Sequence, residues 1–118
     1  MENDPRLSLR LHFAQGLTFG RGKADLLQAI AEEGSISAAG RRLGMSYRRA
    51  WALVEEMNSH FPTPLVDSSR GGAKGGGANV TELGAKVITE YRGLEALLRD
   101  SPQLEALRLA LTDVNDGK

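Results

Sequence analysis

The first ordered pattern along the chain is an alternation of apolar and polar residues over positions 7–13, LSLRLHF. Its apolar members, which share one face, are Leu7, Leu9, Leu11 and Phe13. A period of two residues predicts a half-buried β-strand. The Ala-Gln-Gly sequence that follows is suited to a turn, and it leads to a second short strand near residues 17–19.

The pattern changes to a helical period over residues 23–33, and Gly34 follows as a stop signal. Ser35 is placed to cap a short helix that reaches about residue 43. Ser46 is placed to cap a longer helix that reaches about residue 60. The apolar positions of this longer helix follow the spacing of one buried face, and they are Ala50, Leu53, Val54, Met57 and then Phe61.

Pro62 and Pro64 end that helix, and two short strands, LVDS and NVT, then enclose a glycine-rich loop. A long amphipathic helix is predicted over about residues 82–99, with a shorter helical piece over 103–111 after Pro102. The end of the chain, DVNDGK, is predicted to be frayed and polar. The fold class is therefore mainly α with a small β wing, with residues 1–100 as one domain and 101–118 as a short C-terminal helix and tail.

The two short helices over residues 35–60 fit a helix-turn-helix, because a tight link joins them and small residues line the first. Ala38, Ala39 and Gly40 allow the two helices to approach closely. The second helix turns its cationic N-terminal half outward, and arginine is the side chain best suited to bidentate contact with guanine. The residues expected to contact DNA here are Ser35, Ser37, Arg41, Ser46, Tyr47, Arg48, Arg49 and Ala52.

The charge of the chain is balanced overall, with 15 basic and 15 acidic side chains, so net charge favours no class of partner. Its distribution is uneven, since cations outnumber anions over residues 41–74. The glycine-rich loop within SSRGGAKGGGANVT adds Arg70 and Lys74, and it lies where a winged helix-turn-helix carries its wing. A Walker-type phosphate loop is excluded, because Gly75 rather than a hydroxyl residue follows Lys74. An ordinary solvated surface remains the alternative interpretation of the arginines.

A family resemblance is carried by GSISAAGRRLGMSYRRAWALVEEMN, the basic glycine loop and VTELG. Together they closely resemble the N-terminal DNA-binding domain of the ModE family of molybdate-responsive regulators, and more loosely LysR-type regulators. The resemblance covers about residues 7–100, although Ala73 interrupts the glycine run. It implies a winged-helix regulator that binds DNA as a dimer, with residues 46–49 on the recognition helix and Arg70 and Lys74 on the wing.

The same resemblance implies a C-terminal molybdate-binding module in full-length relatives, and this chain ends about where that module begins. Molybdate or another effector is therefore not expected on this chain. The long helix after the wing is expected to join two subunits, because it carries more apolar surface than one small core needs. The predicted interface residues are Leu83, Val87, Tyr91, Leu94 and Leu98.

Other chemistry finds little support in the sequence. The chain has no cysteine, and His12 and His60 have no ligands at metal-site spacing, so no metal, cofactor or enzymatic activity is expected. No apolar run is long enough to cross a bilayer, and a cytoplasmic location is expected. Trp51 is expected to be a core or interface residue, with a DNA-backbone contact as the alternative.

The function that these patterns favour is a sequence-specific, homodimeric DNA-binding transcriptional regulator. A winged-helix protein-interaction module and a small oxyanion-binding protein remain as alternatives.

Overall fold

The computed structural model of the chain describes residues 7–68 and 77–116. Within these ranges the chain forms five helices and two antiparallel hairpins. The elements, in chain order, are β1 (Arg10–His12), β2 (Thr18–Gly20), α1 (Arg21–Glu33), α2 (Ile36–Arg42), α3 (Tyr47–His60), β3 (Val66–Ser68), β4 (Ala78–Val80), α4 (Glu82–Arg99) and α5 (Pro102–Asp116). The predicted fold class, a mainly α winged helix-turn-helix with a small β wing, is confirmed.

The first hairpin is antiparallel, with Leu11 opposite Phe19. The predicted alternation is visible in the burial of β1, where Leu11 is half-buried between exposed Arg10 and His12. The strand is shorter than its sequence pattern, because β2 pairs with only Arg10–His12. Phe13, which the pattern placed on the apolar face, is 48% exposed at the turn.

The core forms around α1, whose Leu26, Leu27 and Ile30 are completely buried. Residues from α2, α3, both hairpins and α4 complete the cluster, including Ala39, Ala50, Val54, Met57, Leu65, Ala78 and Tyr91. The buried residues of α1 and α3 follow the helical spacing, whereas Leu53 and Phe61 of the predicted α3 stripe are half-buried and Ala31, predicted on the same side of α1, is exposed. The helix-turn-helix is therefore packed on α1, and α1 also supports β4.

The last helix is longer than expected, since α5 begins at Pro102 and continues to Asp116. Proline suits the first helical position, where its missing N–H has no partner to lose. The sequence predicted a frayed end over DVNDGK, and this prediction is wrong for residues 113–116, which belong to α5. Polar residues alone do not stop a helix, and α5 contains no glycine before its end at Asp116.

The molecule is elongated. Its radius of gyration is 17.7 Å and its extents are 63 × 29 × 21 Å, whereas a compact chain of this length has a radius of about 13.5 Å. Along the end of α4 and along α5, several leucines are exposed, namely Leu97, Leu107, Leu109 and Leu111.

Candidate nucleic-acid interface

The turn between α2 and α3 is built by local hydrogen bonds. The Ser35 hydroxyl accepts from the Ala38 N–H at 3.0 Å, and the Ser46 hydroxyl accepts from the Arg49 N–H at 3.1 Å. Both serines are thus N-caps, as their positions predicted. The link adopts a left-handed conformation at Gly44 (φ 74°), and the Met45 N–H donates to the Gly40 carbonyl at 2.8 Å. These bonds fix the angle at which α3 leaves α2.

The two helices lie close together at Gly40. A Cβ atom added there would lie 3.1 Å from Cβ of Ala50, which is closer than ordinary van der Waals contact. Gly40 and Ala39 of α2 are both buried, so small side chains at these positions set the helix separation. The sequence predicted this role for the small residues of α2.

One side of the N-terminal half of α3 faces solvent, while Ala50 on the other side is buried. Tyr47 is 59% exposed, and Arg48, Arg49 and Ala52 are exposed as well. Arg41, in the last turn of α2, is also exposed. None of the three arginines forms an ion pair with another residue in the part of the chain that the structure describes. Three cations that pair with no described acidic residue therefore lie around the start of α3.

The neighbouring Arg42 behaves differently. Its guanidinium binds Glu32 at 2.6 Å and Glu33 at 3.1 Å, and these bonds fasten α2 to the end of α1. The hydrogen bond from Arg42 lowers the pKa of Glu32, with a further contribution from Gln28. Lys23 is engaged too, since its ammonium group contacts Glu56 at 3.2 Å and the Thr18 carbonyl at 2.5 Å. These two cations are already paired within the protein.

The remaining predicted contact residues are Ser35 and Ser37, which are half-buried, and Ser46, which is exposed. Ser35 and Ser46 use a lone pair in capping, and each hydroxyl proton stays available for donation. The structure thus gathers Ser46, Arg48 and Ala52 at the leading end of α3 and places Ser35 at the start of α2.

The wing consists of β3 and β4, which pair antiparallel with Val66 opposite Val80. Arg70 and Lys74, the predicted wing cations, lie outside the described residues. Asn58 joins the wing to α3, because its side-chain oxygen accepts from the Leu65 and Val66 N–H groups at 2.8 and 3.2 Å. Its amide nitrogen donates to the Val66 carbonyl at 3.0 Å.

The role of Asn58 was missed by the sequence reasoning. Asn58 entered the sequence analysis only within the segment that carries the family resemblance, although the sequence does hold a signal for its role. A polar residue on the inner side of an amphipathic helix is such a signal, because a buried amide needs partners. Asn58 thereby positions the wing beside the exposed half of α3.

Trp51 is half-buried against the core cluster. Its ring meets Tyr47 edge to face, with the two centroids 6.2 Å apart. Nε1 of Trp51 is buried and has no hydrogen-bond partner among the described residues. The sequence placed Trp51 beside the apolar stripe but gave no indication of this unpaired donor.

The predicted interface residues of α4 fall into two environments. Leu94 and Leu98 are 39% and 36% exposed, while Leu83 and Val87 are half-buried. Tyr91, expected beside them on an exposed apolar face, lies in the core of its own chain and is 2% exposed. Its ring packs on Phe19 at 5.3 Å, and its hydroxyl donates to the Leu9 carbonyl at 2.6 Å.

Arg92 fastens α4 to α1. Its guanidinium binds Asp25 at 2.8 Å, Gln28 at 2.9 Å and Glu95 at 3.1 Å. Burial alone lowers the pKa of Arg92, but the hydrogen bonds with Asp25 and Glu95 outweigh it and raise the pKa. Glu95, at 6% exposed, is the one carboxylate that is buried among the described residues, and Arg92 balances its charge.

The family follows from this helix-turn-helix and its surroundings. Residues 23–85, from α1 through the start of α4, match the model of the bacterial regulatory helix-turn-helix protein, lysR family. The chain belongs to this family. The matched region contains α2, α3 and the wing, so the lysR-family domain coincides with the surface described above.

Curated relatives agree with this assignment. The chain is 44% identical over 81 residues to the molybdenum-pterin-binding protein MopB of Rhodobacter capsulatus. The matched residues make up 69% of this chain and 30% of MopB. It is 38% identical over 92 residues to the molybdenum transport protein ModE of Azotobacter vinelandii, or 78% and 33% of the two chains. It is also 39% identical over 83 residues to the DNA-binding transcriptional dual regulator ModE of Escherichia coli K12, or 70% and 32%.

This lysR-family chain therefore spans about a third of the length of the curated relatives it matches. The resemblance to ModE that its sequence motifs predicted is confirmed by these relatives. Among the described residues, no group of three or more His, Cys, Asp or Glu side chains could hold a metal ion. Among the same residues, no helix is long and apolar enough to span a membrane.

Proposed function

We propose that the chain is a sequence-specific DNA-binding transcriptional regulator of the ModE type. The single observation that carries this proposal is that Arg41, Arg48 and Arg49 are exposed around the start of α3 and form no ion pair with any described residue. A recognition helix presents this end to the major groove, where arginine reads guanine. The family match and the name of the Escherichia coli relative support the same function.

Each part of the surface has a separate role in this proposal. Arg48, Arg49 and Ala52 read base edges, while Tyr47 contacts a thymine methyl or a phosphate. Ser35, Ser37, Ser46 and Arg41 bind phosphates and fix the register of the helix. Arg70 and Lys74 of the wing add phosphate contacts next to the groove that α3 occupies.

The protein acts as a homodimer in this proposal. The exposed leucines of α4 and the elongated shape support it, because contiguous exposed apolar area marks an interface. Residues 1–100 act as the DNA-binding and dimerisation unit, and 101–118 follow it as a C-terminal helix and tail. A bacterial transcriptional regulator acts where the DNA is, so the proposal includes a cytoplasmic location. The proposed role is binding to DNA and not enzymatic activity.

The proposal is tested with a duplex selected from genomic DNA by binding to the purified protein. Arg48→Ala and Arg49→Ala are each expected to weaken binding of that duplex by about 1–3 kcal/mol, since each removes a base contact. Arg42→Ala is the matched control, because Arg42 is already paired with Glu32 and Glu33. Fluorescence anisotropy against the selected duplex and a random duplex of equal length measures both effects.

Two results would contradict the proposal. If the unmodified protein enriches no sequence and binds no duplex at low salt, the DNA-binding function is wrong. If Arg42→Ala weakens binding as much as Arg48→Ala does, the reading surface is misassigned. No described feature favours the protein-interaction or oxyanion-binding alternatives over this function.

A further inference from the structure

Trp51 is the single tryptophan of the chain, and its ring nitrogen Nε1 has an unusual environment. Nε1 is a hydrogen-bond donor only, it is buried, and it has no partner in the part of the chain that the structure describes. Buried donors in folded proteins are nearly always paired, because an unpaired one gives up its bond to water without compensation. Residues 7–68 and 77–116 therefore leave this donor without the hydrogen bond that a buried N–H group normally makes.

The position of Trp51 indicates where that partner comes from. Trp51 lies seven residues before Asn58, so the two share one side of α3. Asn58 holds the β3 strand of the wing through Leu65 and Val66. The indole therefore lies on the wing-facing side of α3, next to the exposed face that carries Arg48 and Ala52.

The indole contacts one exposed aromatic ring. Tyr47, one turn before Trp51, packs against it with the ring planes at 74° and is 59% exposed. Because most of Tyr47 already faces solvent, its ring turns away from the indole at little cost in buried area.

We infer that Trp51 is a phosphate-binding residue of the DNA interface. This inference rests on the proposed function. With α3 in the major groove and the wing against the adjoining backbone, a sugar-phosphate strand passes between them, on the side where Trp51 lies. As DNA docks, Tyr47 turns aside, and Nε1–H of Trp51 donates to a phosphate oxygen of that strand.

The test removes the N–H group and keeps the shape of the ring. Trp51 is replaced by 3-benzothienylalanine, in which sulfur takes the place of the indole N–H, and by phenylalanine (Trp51→Phe) as a second variant. Binding is expected to weaken about tenfold, the effect of one hydrogen bond to a charged group. The loss is expected to be equal on selected and random duplexes, because a phosphate carries no sequence information.

Stability separates this role from a structural one. The benzothienyl variant is expected to unfold at the same or a higher urea concentration than the unmodified protein, since its N–H group was unpaired before DNA bound. A clearly lower midpoint would show that the indole N–H has a partner within the free protein, and it would overturn the inference.

A scan of the DNA backbone identifies the contacted phosphate. Single phosphates of the duplex are replaced in turn by uncharged methylphosphonates. At one position the replacement is expected to weaken binding of the unmodified protein but to have no further effect on the benzothienyl variant. If every replacement affects both proteins equally, Trp51 contacts no phosphate.

The outcomes for the two proposals are distinct. An unmodified protein that binds no duplex contradicts the proposed function itself. An unmodified protein that binds DNA, together with a benzothienyl variant that binds equally well, contradicts only the role of Trp51.

Discussion

Arg41 and Arg42 are neighbours in the chain, yet their guanidinium groups have different surroundings. Arg42 turns back to Glu32 and Glu33 at the end of α1, whereas Arg41 pairs with no described residue. Adjacent helical positions point about 100° apart, so one faces the body and the other faces outward. At the residue scale, then, the same side chain either fastens two helices or remains available for a polyanion.

Tyr91 gives a prediction at the same scale. Burial raises the pKa of Tyr91, and the charge of Glu95 reinforces the effect. Between the ordinary tyrosine value, about 10, and the raised value, only the unfolded chain loses its proton, so the free energy of unfolding falls as pH rises. Tyr91→Phe lacks this alkaline loss, although at neutral pH it is expected to be about 1–3 kcal/mol less stable without the bond to Leu9.

The measurement is urea unfolding from pH 8 to pH 11. The difference in stability between the unmodified protein and Tyr91→Phe is expected to shrink above about pH 10. Tyr47→Phe, which changes the exposed tyrosine, serves as the control and keeps the alkaline loss of the unmodified protein. Parallel pH profiles for the unmodified protein and Tyr91→Phe would refute the assignment.

At the scale of elements, hydrogen bonds that hydroxyl side chains accept from backbone N–H groups define where three of the helices begin. Ser35 and Ser46 cap α2 and α3, and Thr81 caps α4 through the Gly84 N–H at 3.1 Å. Thr81 also donates to the Pro64 carbonyl at 2.8 Å, beside the start of β3. Thr81 thus joins the wing to α4, and the backbones of the two elements lie close together beside it.

Gly84 gives the prediction for this junction. A Cβ atom added there would press on the Leu65 carbonyl oxygen and lie 2.7 Å from Cγ1 of Val80. Gly84→Ala is therefore expected to destabilise the protein by about 1–3 kcal/mol, because α4 must move away from the wing. The measurement is urea unfolding at fixed protein concentration.

Gly93→Ala is the matched control on the same helix. An added Cβ atom meets nothing within 4 Å at Gly93, so this change is expected to stabilise the helix by about 0.5–1 kcal/mol. If both alanine variants shift stability in the same direction, the close approach at Gly84 is not what limits the junction.

The elements could be predicted from the sequence where their signals are local. Caps at Ser35 and Ser46, the stop at Gly34 and the periodic apolar positions lie within a few residues of the structures they determine. Some of the contacts that were missed join distant positions. The hydroxyl of Tyr91 reaches Leu9, which is 82 positions away, and the spacing of either residue carries no trace of the other.

The candidate site divides in the same way. The outward direction of Arg48 and Arg49 follows from the helical period, so it could be predicted. The pairing of Arg42, the wing contacts of Asn58 and the unpaired Nε1 of Trp51 depend on how α1, α3 and the wing pack together. No local pattern records that packing.

At the scale of the whole molecule, the chain combines a compact head, formed by α1 to α3 and the two hairpins, with the two extended helices α4 and α5. Arg92 fastens α4 to α1 through Asp25 and Gln28, so the long helix is held rigidly against the head. A dimer formed through α4 would therefore fix the distance between two α3 helices. Palindromic operators require such a fixed separation, about 34 Å for successive major-groove turns.

The dimer is predicted to depend on the exposed leucines of α4. The double variant Leu94→Glu with Leu98→Glu is expected to become monomeric, because two carboxylates cannot be buried at an apolar interface. It is also expected to bind a palindromic duplex at least tenfold more weakly, since the second half-site no longer adds to the first. Sedimentation equilibrium gives the mass, and anisotropy gives the affinity.

Thr89→Glu is the control for the dimer, because Thr89 is exposed on the opposite side of α4. It is expected to leave both mass and affinity unchanged. A leucine double variant that keeps twice the mass of one chain would show that α4 does not join the subunits.

The contact between Gly40 and Ala50 has a consequence for how such regulators diversify. The tight fit against Gly40 involves Ala50, on the buried side of α3. Positions 48 and 52 lie on the exposed side of the same helix. Paralogues can therefore exchange the outer residues and acquire new target sites while inheriting the same scaffold. A library randomised at 48 and 52 should yield folded proteins with altered preferences, whereas one randomised at 40 and 50 should yield mostly unfolded chains.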